Sequence, residues 1–398
     1  MNKFKKLLLA SSILVATGAA NAGYTVNTSD TDAVSFGGFI KIDARHVSGD
    51  VAYQDAWYGA GLATALTESK STTSLFAKES RFNMKYTHGD VMGFIELDFF
   101  GGGGNEVISN SVHPRLRHAF IKYDQFLVGQ TWTTLMNTSA LAETLDFAGP
   151  INGGVFARQT QVRYTNGGLQ LSLENPESYK GDASQDSIPD FIAKYTFKGD
   201  WGNVSVAGVV RQLNTSDVAA VLTSDAVAKV DRVFTETNGV VTDNGAYSTT
   251  NPTGYRDAAD AVAGNLASNG KSETAVGYSI AGRIKTIGQD DFRFQYHSGE
   301  VGRYVGVVSG TDLKGQEVEE TDSYLVAYRH FWSEGTRSTL AYGHAEADIS
   351  GLESTQVSVN IMKSLTKQLT IGLEVGNYSR DDKDVDSDYA QLSLKYVL

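Results

Sequence analysis

Leu369, Ile371, Leu373 and Val375 alternate with Thr370, Gly372 and Glu374, and the same period of two recurs through most of the chain. Phe292, Phe294 and Tyr296 alternate with Arg293, Gln295 and His297. Val204, Val206, Gly208 and Val210 alternate with Ser205, Ala207, Val209 and Arg211. The last ten residues set Leu392, Leu394, Tyr396 and Leu398 against Gln391, Ser393, Lys395 and Val397. A period of two sends successive side chains to opposite faces of a strand. One apolar and one polar face suits a half-buried soluble sheet, or a barrel with lipid outside and water within.

The reversals between these runs separate the two. Short turns are expected at Thr87–Asp90, Tyr123–Gln125, Asn166–Gly168, Gly199–Gly202, Gly288–Asp290, Ser333–Thr336 and Thr366–Gln368, each with residues suited to a tight reversal. Long polar connections lie between them, near 49–77, 102–113, 135–156, 177–188, 214–272, 302–320, 349–353 and 381–387. Strictly alternating short and long connections predict an all-β transmembrane antiparallel β-barrel of about sixteen strands. At that strand number the lumen is too wide for side chains to fill and leaves an aqueous channel. One strand, 114–123, breaks the pattern. Arg115 and Arg117 share a parity with Ala119 and Ile121, so a bulge or a rim position is needed there.

Residues 1–22 read as a secretory signal peptide, with Lys3, Lys5 and Lys6 before the apolar run Leu7–Ala16 and a small-x-small site at Ala20-Asn21-Ala22. The apolar run is half the roughly 20 residues that span a bilayer. The barrel domain is therefore expected over 23–398, with export to the outer membrane and its lipid and lipopolysaccharide as surroundings. Composition agrees: Cys 0 removes disulfides and thiolate metal sites, Pro is held to 5, and Gly 41, Tyr 19 and Phe 18 supply barrel strands and aromatic girdles. Loss of the three leader lysines takes the net charge from −12 to about −15. An acidic chain of this kind argues against nucleic acid as a partner. It leaves the polarity of a pore open, because that depends on where the charges sit.

Basic residues fall on the polar faces of the expected strands: Lys41 and Arg45, Arg81 and Lys85, Arg163, Lys194, Arg211, Arg283, Arg293 and Arg329. Acidic residues there are fewer, namely Asp43, Glu79, Glu96, Asp98, Glu174 and Glu374. A lumen lined by guanidinium groups attracts anions, and carboxylates above all, because they bind in a bidentate fork. The plainer alternative is a set of solvated residues paired with acids. Facing is well specified in either case, since slipping a strand by one residue would carry each arginine into lipid at roughly 2–4 kcal/mol.

A series of motifs adds to this: Lys78-Glu79-Ser80-Arg81-Phe82-Asn83, Ile95-Glu96-Leu97-Asp98-Phe99-Phe100-Gly101, Pro114-Arg115-Leu116-Arg117-His118-Ala119-Phe120, Gly129-Gln130-Thr131-Trp132, Glu143-Thr144-Leu145-Asp146-Phe147-Ala148-Gly149-Pro150, and Arg158-Gln159-Thr160-Gln161-Val162-Arg163-Tyr164. In this order the chain resembles the DcaP-like outer-membrane porins, densely from about residue 36 to 176 and by strand pattern beyond. The resemblance implies a homotrimer of sixteen-stranded barrels passing small organic anions, dicarboxylates in particular, through a basic constriction. Family members can carry an N-terminal helical extension, whereas only residues 23–33 precede the first strand here, and a common final aromatic is replaced by Leu398. The resemblance also suggests that the connection 135–156 folds into the barrel and narrows it. Glu143 and Asp146 would then face wall residues such as Arg81, Arg115, Arg117, Arg158 or Arg163 across an eyelet, the alternative being an ordinary external loop.

Other features point elsewhere or nowhere. Gly101–Gly104 lacks the following Lys-Ser/Thr of a phosphate-binding loop. The acidic run 381–388 lacks the glycine and closing glutamate of a calcium-binding loop, so it reads as solvated. No nucleotide site or cofactor is expected, and the histidines have no accompanying nucleophile motif, which argues against a barrel hydrolase. The rivals to an anion channel are a general or weakly cation-selective porin, favoured by the acidic total, and an adhesin with a blocked lumen.

Overall fold

A computed structural model of the protein describes residues 23–57, 64–101, 109–147, 149–177, 186–215, 234–237, 240–243, 271–305, 312–314 and 317–398. The expected leader at 1–22, residues 102–104 of the glycine run and most of 214–272 therefore lie outside the described residues. Sixteen strands form the wall: β1 (Asp32–Val51), β2 (in two segments, Ala65–Phe76 and Arg81–His88), β3 (Val91–Asp98), β4 (Arg115–Tyr123), β5 (Phe126–Trp132), β6 (Arg158–Asn166), β7 (Leu169–Glu174), β8 (Asp190–Gly199), β9 (Gly202–Thr215), β10 (Lys271–Lys285), β11 (Asp291–Gly299), β12 (Thr321–Phe331), β13 (Thr336–Ala347), β14 (Glu353–Ser364), β15 (Leu369–Arg380) and β16 (Val385–Val397). Each pairs antiparallel with its chain neighbours. β16 returns to β1, with Lys395 opposite Lys41 and Gln391 opposite Arg45, and this closes the barrel. A short strand, Tyr24–Asn27, pairs with Ala33–Phe36 alongside the lower part of β1.

All seven short turns fall where the alternation breaks. The facing follows too: Val206 and Val210 are exposed while Ser205, Ala207, Val209 and Arg211 are buried, and Leu373 and Val375 flank a buried Glu374. Exposed apolar side chains on the outer wall are what a lipid-facing surface requires, since closure leaves no unpaired backbone edge in the bilayer.

Two places depart from plain alternation. In β3–β4 the register shifts between Glu96 and Leu97, which pair with His118 and Leu116 and leave Arg117 as the extra residue. This bulge accounts for the parity conflict: Arg117 and His118 are both buried, while Leu116 and Ile121 remain exposed. The first long connection is shorter than expected, because Ala65–Phe76 is strand rather than loop. It is polar on both faces and so carries no apolar period. Cross-strand side-chain bonds support its pairing instead, Ser48 to Ser71 at 2.8 Å and His46 to Thr73 at 2.7 Å.

Apolar cores lie where the β5–β6 connection, residues 133–157, meets the wall. Leu135, Met136 and Val155 are buried with Trp132, Ile192, Val209 and Tyr304, and Ala142 packs with Leu325, Ala327 and Ala341. Glycines on the wall make room for it. A Cβ added at Gly372 would come within 2.9 Å of the Leu145 side chain.

Candidate functional site: the polar wall and the β5–β6 connection

The 133–157 segment hydrogen-bonds to inward side chains around much of the barrel. Lys194 of β8 donates to the Met136 carbonyl (2.8 Å), and Asn137 donates to Ser205 of β9 (2.9 Å) and to the Ala281 carbonyl of β10 (3.0 Å). Gln295 of β11 donates to the Ala140 carbonyl at 3.2 Å. Glu143 is held by Arg329 of β12 (2.7 Å) and Arg337 of β13 (2.6 Å). Glu374 of β15 accepts the backbone N–H groups of Leu145 (2.7 Å) and Asp146 (2.9 Å). Gln391 of β16 and Lys41 of β1 both donate to the Leu145 carbonyl, at 2.8 and 2.6 Å. Asp146 accepts from Arg45 of β1 (3.0 Å) and Gln356 of β14 (2.9 Å). Glu174 of β7 accepts the Thr134 N–H at 2.7 Å. Several inward carboxylates are therefore engaged in holding this segment.

The sector from β2 to β6 meets the segment differently, through aromatic rings and arginines. The guanidinium carbons of Arg81, Arg115 and Arg117 lie 5.4, 5.9 and 5.7 Å from the centre of the Phe147 ring. Arg158 lies 4.5 Å from the Trp132 ring and 5.7 Å from the Phe156 ring. Phe147 and Phe156 are 5.7 Å apart, and Trp132 and Phe156 4.8 Å. Arg115 and Arg117 are paired: Asp98 takes Arg115 at 2.8 Å and Arg117 at 2.7 Å, and Glu96 takes Arg117 at 2.8 Å. Arg81 and Arg158 have no carboxylate partner among the described residues, and their buried Nε and Nη1 atoms make no hydrogen bond. Arg163 donates to Gln161 (2.8 Å) and to the Trp132 carbonyl (2.5 Å), and it too has no carboxylate partner among the described residues. Counting this sector, Arg81, Lys85, Arg115, Arg117, Arg158 and Arg163 stand against Glu79, Glu96 and Asp98, with Glu79 already paired to Lys41. The excess is positive.

A model of the DcaP outer membrane protein family matches residues 14–354. The chain belongs to the DcaP outer membrane protein family. It is a porin of the outer membrane. The crystal structure of the outer membrane channel DcaP of Acinetobacter baumannii aligns with a TM-score of 0.68 at 20% identity, covering 94% of this chain and 99% of that one. The trimer form of OmpT, an outer membrane protein of Vibrio cholerae, gives 0.53 at 14%, over 93% and 100%. The anion-selective porin from Comamonas acidovorans gives 0.51 at 10%, over 92% and 100%. These likenesses share the barrel fold. No curated protein sequence matches the chain.

Within this DcaP barrel the candidate cations divide into groups. Lys41 pairs with Glu79 (2.6 Å) and Asp43 (3.2 Å), and Arg45 with Asp146. Arg211 pairs with Asp190 (2.9 Å) and Asp312, and Arg293 with Asp291 (2.6 Å). Lys85 is half-buried on the inward face of β2. Arg81, Arg115, Arg117 and Arg158 are the ones brought together. Glu143 and Asp146 do not face that cluster as expected: Glu143 binds Arg329 and Arg337 of β12 and β13, and Asp146 binds Arg45 of β1, the strand beside β2, while the segment's rings meet the arginines. Burial opposes the ionisation of Glu143, but Arg337 and Arg329 outweigh it and bring its carboxyl down to about 2. Four of the five acids of 381–388 are occupied locally, Asp381 with Thr355 and Ser379, Asp382 with Arg380, and Asp386 and Asp388 with Asn377.

Arg337, Phe147, Phe156 and Trp132 were not among the sequence candidates. Arg337 follows a short turn on the parity of buried Thr339, which is a legible signal. Phe147 and Phe156 sit in irregular chain, where no period marks them, and Trp132 is the last residue of β5.

Proposed function

We propose that this porin passes small organic anions, dicarboxylates in particular, between the 133–157 segment and the arginine wall of β2–β6. The observation that carries the reading is the pair Arg81 and Arg158, half-buried around the same rings as Arg115 and Arg117 and without carboxylate partners among the described residues. Two guanidinium groups without an ion-pair partner, set around the same rings as paired ones, add to a local positive field, and each offers donors to a carboxylate. The segment narrows the lumen in this reading, its acids spent on Arg329, Arg337 and Arg45. A solute meets the rings and arginines rather than Glu143 or Asp146. The anion-selective porin from Comamonas acidovorans shares the barrel fold, which is in keeping with this reading, and the trimer form of the Vibrio cholerae protein supports a homotrimer here. Residues 1–22 are the export signal, and the apolar outer wall contacts outer-membrane lipid and lipopolysaccharide.

The test is the reversal potential of the purified porin in a planar bilayer under a salt gradient, repeated with succinate or phthalate. Anion preference with dicarboxylate block of the chloride current supports the reading. Cation preference without block would replace it with a general porin governed by its acidic loops.

A further inference from the structure

Arg81 and Arg158 differ from their neighbours in what holds them. Arg115 is gripped by both oxygens of Asp98, from Nε at 3.0 Å and Nη2 at 2.8 Å, and Arg117 bridges Glu96 and Asp98. Arg81 instead lies over two rings, Phe39 at 5.1 Å and Phe147 at 5.4 Å. Arg158 lies over Trp132 at 4.5 Å and Phe156 at 5.7 Å. The rings are themselves fixed. Phe147 packs on Phe100 at 4.9 Å, and Trp132 packs edge-on to His118 at 5.5 Å.

The two kinds of support have different electrical consequences. A carboxylate locates a guanidinium and cancels its charge. A ring attracts it through the quadrupole of its π face, carries no net charge, and leaves the cation's long-range field intact. A long arginine side chain with neither support would sample many rotamers and present no fixed donor geometry.

We infer that Trp132 and Phe147 are specificity-determining positioning residues of this channel: they hold Arg158 and Arg81 in place with their charge uncancelled. The inference rests on the anion-channel reading above and adds to it a role for uncharged side chains. Trp132 serves twice, since Arg117 also lies 5.7 Å from its ring and Arg163 donates to its carbonyl. Tryptophan is the strongest of the aromatic side chains for this purpose.

The test compares full-length Trp132→Leu, Phe147→Leu and the double variant with Trp132→Phe and Phe147→Tyr, all in planar bilayers. The leucine variants are expected to lower the chloride-to-potassium permeability ratio by at least about threefold in the double, with weaker succinate block. Phe147→Tyr should stay near wild type, and Trp132→Phe should lose less than Trp132→Leu because it keeps a weaker π face. As a second route that preserves shape, uniform incorporation of fluorinated tryptophan weakens the π face, and the ratio should fall stepwise with fluorine count. Unchanged selectivity in the leucine and fluorinated proteins, beside an anion-selective wild type, would overturn this inference and leave the anion reading standing. A wild type without anion preference would overturn both.

Discussion

Gly343 of β13 lies so close to Pro150 that a Cβ added at Gly343 would stand 2.5 Å from the Pro150 Cβ. Close by, Asn152 donates to the Gly343 carbonyl at 3.2 Å and to the Ser354 carbonyl at 3.1 Å. The β5–β6 connection thus meets the wall almost backbone to backbone, and a side chain at residue 343 has no room. Gly343→Val is expected to push the connection off β13 and raise single-channel conductance. Wild-type conductance in that variant would show that the segment yields without opening the passage.

Glu143 ties the same connection to two strands through Arg329 and Arg337. Its carboxyl is held well below the usual range, so the stabilisation is present above the unfolded pKa and lost only as pH falls through about 2. Between pH 7 and pH 4 this anchor should therefore persist, and it should not gate the channel. Glu143→Gln removes it at every pH. The expected result is a noisier current and a loss of stability on the order of 3 kcal/mol, as when one partner of a buried ion pair is deleted. Current fluctuations that rise in the wild type on acidification to pH 4 would count against this account.

Arg117 is the extra residue of the β3–β4 bulge, with His118 and Leu116 already paired to Glu96 and Leu97. Deleting it restores an unbroken ladder and reverses no neighbouring side chain. The deletion variant is expected to fold as a heat-modifiable barrel on gels with reduced anion preference. Failure to assemble would mean that the bulge itself, and not only the arginine, is required.

Neutralising the two carboxylate-free arginines is the direct charge test. Arg81→Gln with Arg158→Gln should weaken anion preference several-fold while leaving the strand ladder intact, because neither side chain makes a wall ion pair among the described residues. Circular dichroism and reversal potentials measure the two halves of that statement. Adding Arg163→Gln should weaken it further, at some cost to the Trp132 carbonyl contact.

The barrel was legible because period two and turn chemistry act locally, so each strand declares its own facing. Residues 65–76 escaped because their pairing rests on hydroxyl contacts with no apolar period. The bulge was visible only as a conflict of parity at Arg115 and Arg117. The site was half legible. Its cations appear as polar-face residues, but which of them keep their charge depends on neighbours from distant strands, such as Asp98 for Arg115 and Asp190 for Arg211. The partners of Glu143 lie more than 180 residues away in sequence, and no local pattern points to them.

A sixteen-stranded shell one strand thick flattens easily, since its wall can bend without breaking a ladder bond. The connection at 133–157 is fastened at Asn137 to β9 and β10 and at Leu145 and Asp146 to β1, half a circuit away. In the proposed reading it works as a strut across the bore. The cross-section of the passage is then set by the length of a braced chain rather than by the pliancy of the wall, so it should resist changes in lateral membrane pressure that would oval an unbraced barrel.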